Sequence, residues 1–178
     1  GPIRLQATGP VHCIGVRLTA AASGLVAGER LPTLREQAPD LYTLDPAFAQ
    51  HFAQATQASV SAGAHQPLWD LLQVYCAGFA LDPLAEQAAA LLDAAEGDLR
   101  MTALADRLGM SLRTLQARFL TAVGLTPKEY ARVRRLQGLL RTLDGAASPI
   151  AEAAAQHGYS DQAHATHDLT RFTGMTPA

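Results

Sequence analysis

The sequence predicts a mainly α-helical protein with a small β portion at its amino terminus. Three observations lead to this fold class: a period-two alternation of apolar residues before residue 20, apolar residues at helical spacing from residue 46 onward, and one helical pattern that occurs twice after residue 97. Apolar residues make up 48% of the 178 residues and charged residues 17%. With no apolar run of membrane-spanning length, this composition is typical of a soluble globular protein with one large domain or two small ones.

The β portion is predicted as a hairpin. "IRLQAT" and "VHCIGVRL" alternate in the manner of strands, with Ile14, Val16 and Leu18 on one face and Gly9-Pro10 as the turn. Because two strands alone are marginal in water, the hairpin should pack on later helices or belong to a larger sheet. The chain opens with Gly-Pro instead of Met, as after protease cleavage, so we expect the natural protein to begin further upstream. Turns containing glycine and proline are expected to about residue 46.

Three helices are predicted next, over 46–58, 65–79 and 83–96. The first and third begin with Asp-Pro, in which the aspartate caps free amides and the proline fits the first helical turn. Apolar residues in the second and third recur at helical spacing, which indicates core positions or a dimer seam. These residues are Leu68, Leu71, Leu72, Tyr75 and Phe79, followed by Leu84, Ala88, Leu91 and Leu92.

After Gly97 one sequence pattern occurs twice, over 103–127 and 151–177. Each copy has a short apolar helix, a glycine turn, a serine, a second helix, and then glycine, an apolar residue, threonine and proline. This order is typical of a helix-turn-helix, in which the glycine allows a sharp turn, the serine caps the second helix and a small residue lets the helices cross closely. The paired residues are Gly109 and Gly158 in the turns, Ser111 and Ser160 at the caps, and Ala105 and Ala154 at the crossings.

The spacing between the copies predicts how they are arranged. Ser111 and Ser160 are 49 residues apart while Gly124 and Gly174 are 50 apart, so one extra residue is expected in the second copy's helix. The intervening "KEYARVRRLQGLLRTLDG" predicts a connecting helix of about 16 residues, ~24 Å long. A spacer of that size can place two recognition helices in successive major grooves, roughly 34 Å apart on one face of DNA.

Charge divides the chain in the same place. Residues 1–97 hold four arginines and nine acidic residues, a net charge of −5, whereas residues 98–178 hold ten basic and seven acidic residues, a net charge of +3. The second half can therefore approach a polyanion.

From about residue 98 to its end the chain resembles the DNA-binding domain of AraC/XylS-type transcription regulators. The resemblance is carried by "SLRTLQARF", "GLTPKEYARVRRLQ", "GYSDQAH" and "TGMTP", in the family's order and spacing over roughly 80 residues. It implies a seven-helix, all-α domain that contacts two adjacent major grooves, and an upstream effector or dimerisation domain, often a cupin-like barrel followed by helices. We therefore divide the chain into residues 1–96, a remnant of that upstream domain, and residues 97–178, a tandem helix-turn-helix domain.

The candidate DNA-binding residues lie on the two recognition helices and the connecting helix. Ala117 in the first recognition helix and His167 in the second stand where the family usually carries arginine, and neither can make the two hydrogen bonds of arginine to guanine. Base reading should therefore depend on Arg113, Thr114 and Gln116 of the first helix, and only secondarily on polar residues of the second, Gln162, His164, Thr166 and His167. Asp161 and Asp168 add negative charge to the second helix. The second helix is thus expected to position the protein more than to specify sequence. The full set is Ser111, Arg113, Thr114, Gln116, Arg118, Lys128, Arg132, Ser160, Gln162, His164, Thr166, His167 and Arg171.

Phosphate contacts or salt bridges between the motifs are the alternatives for basic residues of the connecting helix, and the structural role is favoured for Arg135. These residues are Lys128, Arg132, Arg134 and Arg135.

Other chemistry finds little support in the sequence. Cys13 and Cys76 fit no metal spacing and are expected to be buried thiols in a reducing cytosol. His164 and His167 are three residues apart on one helix but lack a third ligand, so neither a metal nor another cofactor is expected. No nucleophile motif, phosphate-binding loop or carboxylate cluster supports an enzyme.

The leading hypothesis is a cytoplasmic transcription regulator, activator or repressor, that binds double-stranded promoter DNA and is modulated by its upstream domain. A small-molecule effector and a homodimer are left open as partners, as is RNA polymerase if the protein activates; no membrane is expected. The alternative is a protein-interaction or sensory module whose tandem motif has weakened DNA affinity, in view of Ala117, His167 and the modest positive charge. Steep loss of affinity with salt distinguishes a DNA binder from the alternative.

Overall fold

The computed structural model describes residue 9 and residues 14–34, 37–145 and 149–174, and the regular secondary structure in these ranges is helical. Short 3₁₀ segments at Ala20–Ala22 and Gly28–Leu34 flank the first helical turn. The helices are α1 (Gly24–Ala27), α2 (Leu41–Leu44), α3 (Pro46–Ala62), α4 (Gln66–Cys76), α5 (Pro83–Ala94), α6 (Met101–Arg107), α7 (Leu112–Val123), α8 (Pro127–Gly145), α9 (Ile150–Gln156) and α10 (Gln162–Thr173).

The predicted amino-terminal β portion is wrong. The first predicted strand and the start of the second lie outside the described residues, residues 14–19 are irregular, and none of the described ranges contains a strand. Ile14 and Val16 instead line a hollow with Leu68 and Leu72 of α4. The alternation therefore belongs to an irregular segment beside α4, because a period of two indicates which side chains can share a face but not whether the segment pairs as a strand. Helical turns likewise occupy much of the region expected to hold only turns.

The three helices predicted after residue 46 are confirmed as α3, α4 and α5, with ends that differ by two to four residues. The carboxylate of Asp45 accepts the Phe48 amide at 2.9 Å, and that of Asp82 accepts the amides of Leu84 and Ala85 at 3.0 and 3.1 Å. Both Asp-Pro pairs therefore act as the predicted caps.

Helices α3 and α4 form an antiparallel hairpin. The Tyr75 ring stacks on Phe48 with centroids 3.8 Å apart, and its hydroxyl donates to Asp45 at 2.7 Å. Burial, together with this hydrogen bond to a carboxylate, raises the pKa of Tyr75 to about 12. Cys76, at the end of α4, is exposed, which corrects the prediction of a buried thiol; Cys13 lies outside the described residues.

Two apolar cores follow one another along the chain. The first joins α5 to α6, α7 and the start of α8, and the second joins the rest of α8 to α9 and α10. Helix α5 thus packs with the first motif although it precedes the predicted boundary at residue 96, and the division of the chain into two domains stays a prediction. The buried members are Ala85, Ala88, Ala89, Leu92, Leu104, Ala105, Leu115, Phe119, Val123 and Ala131 in the first core, and Leu136, Leu139, Ala153, Ala154, Tyr159, Ala165 and Leu169 in the second.

Candidate nucleic-acid interface

The first helix-turn-helix is formed by α6 and α7. Gly109 turns the chain with a φ of 63°, and Ser111 caps α7, its hydroxyl oxygen accepting the Thr114 amide at 3.1 Å. Leu115 and Phe119 are buried on the inner face of α7. The recognition helix is therefore held by its apolar side, so its polar residues face away from the core.

The second motif, α9 and α10, differs in its turn. Gly158 has a φ of 69°, but the cap of α10 is Asp161, whose carboxylate accepts the His164 amide at 2.7 Å. Ser160 was predicted to be the cap, but its hydroxyl instead donates to the Asp161 carboxylate at 3.1 Å. The hydrogen bonds from the His164 amide and then from the Ser160 hydroxyl hold the pKa of Asp161 below its usual value.

The prediction of an extra residue within the second recognition helix is wrong, because this cap places that residue in the turn before the helix. Both α7 and α10 contain 12 residues, and their caps, Ser111 and Asp161, are fifty residues apart, as are the glycines that end them. From cap to C-cap the two recognition helices therefore correspond residue for residue at an offset of fifty.

On α7 the predicted base-reading residues are exposed. Arg113 and Gln116 make no hydrogen bond or ion pair to any described residue, while the Thr114 hydroxyl lies 2.8 Å from that of Ser111. Arg118 differs, because its Nε and Nη2 donate to the two carboxylate oxygens of Asp82 at 2.9 and 3.0 Å. Burial alone raises the pKa of Asp82, but the hydrogen bonds from Arg118 and the α5 amides outweigh it and hold the pKa low.

On α10 the predicted residues divide between surface and packing positions. Gln162 and Arg171 are exposed, and the His167 side chain is 70% exposed. His164 and Thr166 are half-buried; the His164 ring meets the edge of Tyr159 with centroids 5.2 Å apart.

Asp168 contributes no exposed negative charge to α10, in contrast to the expectation. It is only 1% exposed and forms a bidentate ion pair with Arg132 of α8, which is 25% exposed. Arg132 and Asp82 are fifty residues apart, and so are Asp168 and Arg118. The two motifs thus carry the same ion pair with the charges exchanged.

A basic cleft lies between the motifs. It is a cavity of about 630 Å³ between the loop before α6, one side of α8, and α10. Among the described residues that line it, Asp98 is acidic and lies 4.0 Å from Arg135, while Arg132 is paired with Asp168. The positive charge of the cleft therefore rests mainly on Arg100 and on Lys128, which is exposed at its edge, and such charges suit the phosphate backbone that runs between two major grooves. The basic lining residues and histidines are Arg100, Lys128, Arg132, Arg135, His164 and His167.

The relation between the motifs is fixed by a loop that pattern analysis overlooked. Glu96 has a φ of 48°, and Gly97 a φ of 81°, at a point where an added Cβ would lie 2.1 Å from the Ala131 carbonyl oxygen. The Glu96 carboxylate accepts from Arg141 of α8 at 2.8 Å and lies 3.2 Å from the His157 ring of α9. A glycine directly after an amphipathic helix was the available sequence signal.

Two arginines of α8 interact with residues of the protein itself. Arg135 donates to the Gly97 carbonyl at 3.2 Å and lies over the Tyr159 ring at 5.5 Å, which confirms its structural role. Arg134 pairs with Asp93 at 2.7 Å.

Two features are absent from the described part of the chain, a cluster of metal ligands and a membrane-spanning helix. No three His, Cys, Asp or Glu residues converge there as metal ligands, His164 and His167 included. None of the helices in the described ranges is long and apolar enough to cross a membrane.

Comparison with known proteins gives one match. The family model described as a helix-turn-helix domain, of the AraC type, matches residues 104–178. The match begins within α6 and includes both recognition helices and α8, and the family consists of DNA-binding regulators and not of enzymes. No curated protein and no solved structure matches the chain closely enough to indicate a relationship.

Proposed function

We propose that this chain recognises specific promoter sequences through α7 and α10 in successive major grooves, because residues 104–178 match the AraC-type helix-turn-helix domain of DNA-binding transcription regulators. One observation carries the proposal: two recognition helices of equal length, with caps fifty residues apart, stand at the two ends of the connecting helix α8. A basic cleft lies beside α8, between the loop before α6 and the second recognition helix. The 19 residues of α8 give ~28 Å of helix, which suits the roughly 34 Å between successive grooves.

Sequence reading falls mainly to α7. Arg113 and Gln116 are exposed and have no partner among the described residues, so their donors are available to base edges. Arginine can donate two hydrogen bonds to guanine, and glutamine can pair with adenine, each worth about 1–3 kcal/mol of discrimination. Ser111 and Thr114 bond to one another at the helix start and are assigned to holding it near a phosphate.

Positioning falls to α10 and to the basic cleft. Gln162, His167 and Arg171 are exposed on α10, and Lys128 lies at the cleft edge. We assign these residues to the phosphate backbone between the two grooves, because phosphate contacts fix register without reading sequence.

Arg118 and Arg132 are given a different role from the one first predicted. Arg118 of α7 is paired with Asp82 at the start of α5, and Arg132 of α8 is paired with Asp168 of α10, so the charge of each arginine is largely neutralised before DNA arrives. We assign both to fixing a recognition helix against the helix that precedes its motif.

Residues 1–96 are proposed to act as the effector or dimerisation part of a cytoplasmic regulator. On this view a small molecule, a second copy of the chain or RNA polymerase modulates promoter binding or its outcome. The exposed Trp69 and Val74 of α4 leave a surface for such contacts.

The test is selection of bound fragments from genomic DNA with the full chain, followed by gel shifts at several salt concentrations. Arg113→Ala should relax base choice at one position, while Lys128→Ala should weaken all sequences alike and reduce the salt slope by about 1. Arg107→Ala, an exposed arginine of α6 outside the proposed interface, is the matched control.

A selected motif should contain two half-sites about one helical turn apart. If no fragment is enriched at any salt concentration, promoter recognition is refuted and the alternative of a protein-interaction module takes its place.

A further inference from the structure

A cavity lies directly against the first recognition helix. Its volume is about 520 Å³, within the roughly 300–1,000 Å³ of small-molecule sites. One wall is formed by the upstream segment with Gly24 and Gly28, a second by Phe79 after α4, and the third by Ala117 and Arg118 of α7. A molecule bound here touches the upstream segment and the recognition helix at once.

The lining is mainly apolar, and missing side chains keep the space open. A Cβ on Gly24 would lie 3.5 Å from the Phe79 ring, so any longer side chain at this position would extend beside that ring. A Cβ on Gly28 would meet nothing within 4 Å. Ala117 adds only a methyl group from α7. Among the described lining residues, Phe79 supplies the aromatic surface of the cavity, which suits a flat apolar group.

One polar feature gives the cavity a chemical preference. The Arg118 guanidinium donates through Nε and Nη2 to Asp82, while its Nη1 has no hydrogen-bond partner among the described residues. A hydrogen-bond acceptor can therefore be bound without breaking the ion pair. Because Asp82 already neutralises Arg118, a second carboxylate would meet a negative neighbour, so a neutral acceptor such as a carbonyl fits better.

We propose that this cavity binds a small, neutral, mainly apolar molecule with one hydrogen-bond acceptor that pairs with Arg118 Nη1. Binding links the upstream segment to α7 and so alters how the recognition helix is presented. The proposal rests on the proposed function only for this last consequence, since the binding itself can be measured without DNA. If ligand and DNA each bind α7, each must change the affinity for the other by the same factor.

Three aryl probes test the site on the full chain: benzylacetone, which carries a neutral carbonyl, butylbenzene, which lacks an acceptor, and phenylbutanoate, which is anionic. Benzylacetone should bind saturably and about tenfold more tightly than either of the others. In ¹H–¹⁵N spectra it should shift the Arg118 side-chain Nε–H and the amides of 20–28 and 112–123, but not those of 162–173.

Two glycine variants form a matched pair. Gly24→Leu should abolish benzylacetone binding by filling the cavity, whereas Gly15→Leu, at an exposed position in a different hollow, should leave it unchanged. Arg118→Lys, which keeps a positive charge for Asp82 but has no second nitrogen, should reduce the preference over butylbenzene. Thermal unfolding of each variant shows that it is folded.

Four results would overturn the proposal: no saturable binding of benzylacetone, equal binding of butylbenzene, tighter binding of phenylbutanoate, or undiminished binding to folded Gly24→Leu. Failure of DNA selection alone would refute promoter recognition and leave the ligand site standing. If the probe does not bind while DNA selection succeeds, the ligand site is refuted and promoter recognition stands.

Discussion

The buried ion pair between Arg132 and Asp168 gives the sharpest test of how α10 is held. Replacing Asp168 by asparagine keeps the shape of the side chain but removes its charge and leaves Arg132 without its partner. Breaking a buried pair in this way costs about 3–5 kcal/mol. Because Arg132 keeps a quarter of its side chain accessible and can regain water, we expect a loss of ~2–3 kcal/mol in the free energy of unfolding.

The assay is thermal unfolding followed by circular dichroism, in which this loss should lower Tm by about 5–10 °C for a chain of this size. The matched control is Arg118→Gln. It breaks the corresponding pair of the first motif, but Arg118 is 42% exposed and Asp82 23%, so the loss should stay within about 1 kcal/mol.

A double-mutant cycle with Arg132→Met isolates the pair itself. Asp168→Asn should lower the free energy of unfolding far less in the Arg132→Met background than in the unchanged chain. The difference, which is the interaction energy of the pair, should be about 1 kcal/mol or more. Additive effects within about 0.5 kcal/mol, or a cost no larger than that of Arg118→Gln, would refute the account of α10 as a helix held by a buried charge pair.

Three further predictions concern the backbone, the second cap and alkaline pH. Gly97→Ala should lower the free energy of unfolding by several kcal/mol in urea titrations, because its Cβ would overlap the Ala131 carbonyl; an unchanged midpoint contradicts this. Asp161→Ala should cost about 1 kcal/mol and Ser160→Ala less, and the opposite order would return the cap to Ser160. Burial and a hydrogen bond to a carboxylate raise the pKa of Tyr130 to about 12, above its unfolded value of about 10, so the folded state holds this proton more tightly. Its contribution is complete below pH 10 and is lost as pH rises toward 12, by up to about 2 kcal/mol. Tyr130→Phe should reduce the dependence of stability on alkaline pH without abolishing it, because burial also raises the pKa values of Tyr75 and Tyr159.

Most of the helices could be predicted from the sequence because the residues that determine where a helix begins lie next to its first turn. Asp45 and Asp82 each precede a proline, and a capping carboxylate acts on amides only two or three residues away. The two helix-turn-helix motifs were visible for the same reason, since turn glycines and inward apolar residues recur at fixed short distances.

Local signals failed where two readings shared one pattern. Alternation around Ile14 is compatible with a strand or with an irregular segment beside a helix, and the sequence pattern alone does not distinguish them. In the second turn Ser160 and Asp161 are adjacent, and both residue types cap helices, so the extra residue was assigned to the wrong side of the cap.

Contacts between distant residues were beyond pattern analysis. Arg118 and Arg132 were expected at the DNA because arginine on a recognition or connecting helix suits phosphate, yet each meets a carboxylate 36 residues away. The offset of fifty contains this information, because it aligns Asp82 with Arg132 and Arg118 with Asp168.

The exchanged charges of these two pairs bear on how a chain with two similar motifs folds correctly. Suppose each recognition helix packed against the other motif's partner, an error that internal repeats invite. Asp168 would then face Asp82, and Arg118 would face Arg132, so each wrong assembly would bring two like charges together. Had both pairs the same polarity, the swapped assembly would satisfy them as well as the native one does. The reversal therefore makes each half of the tandem domain recognise its own helix.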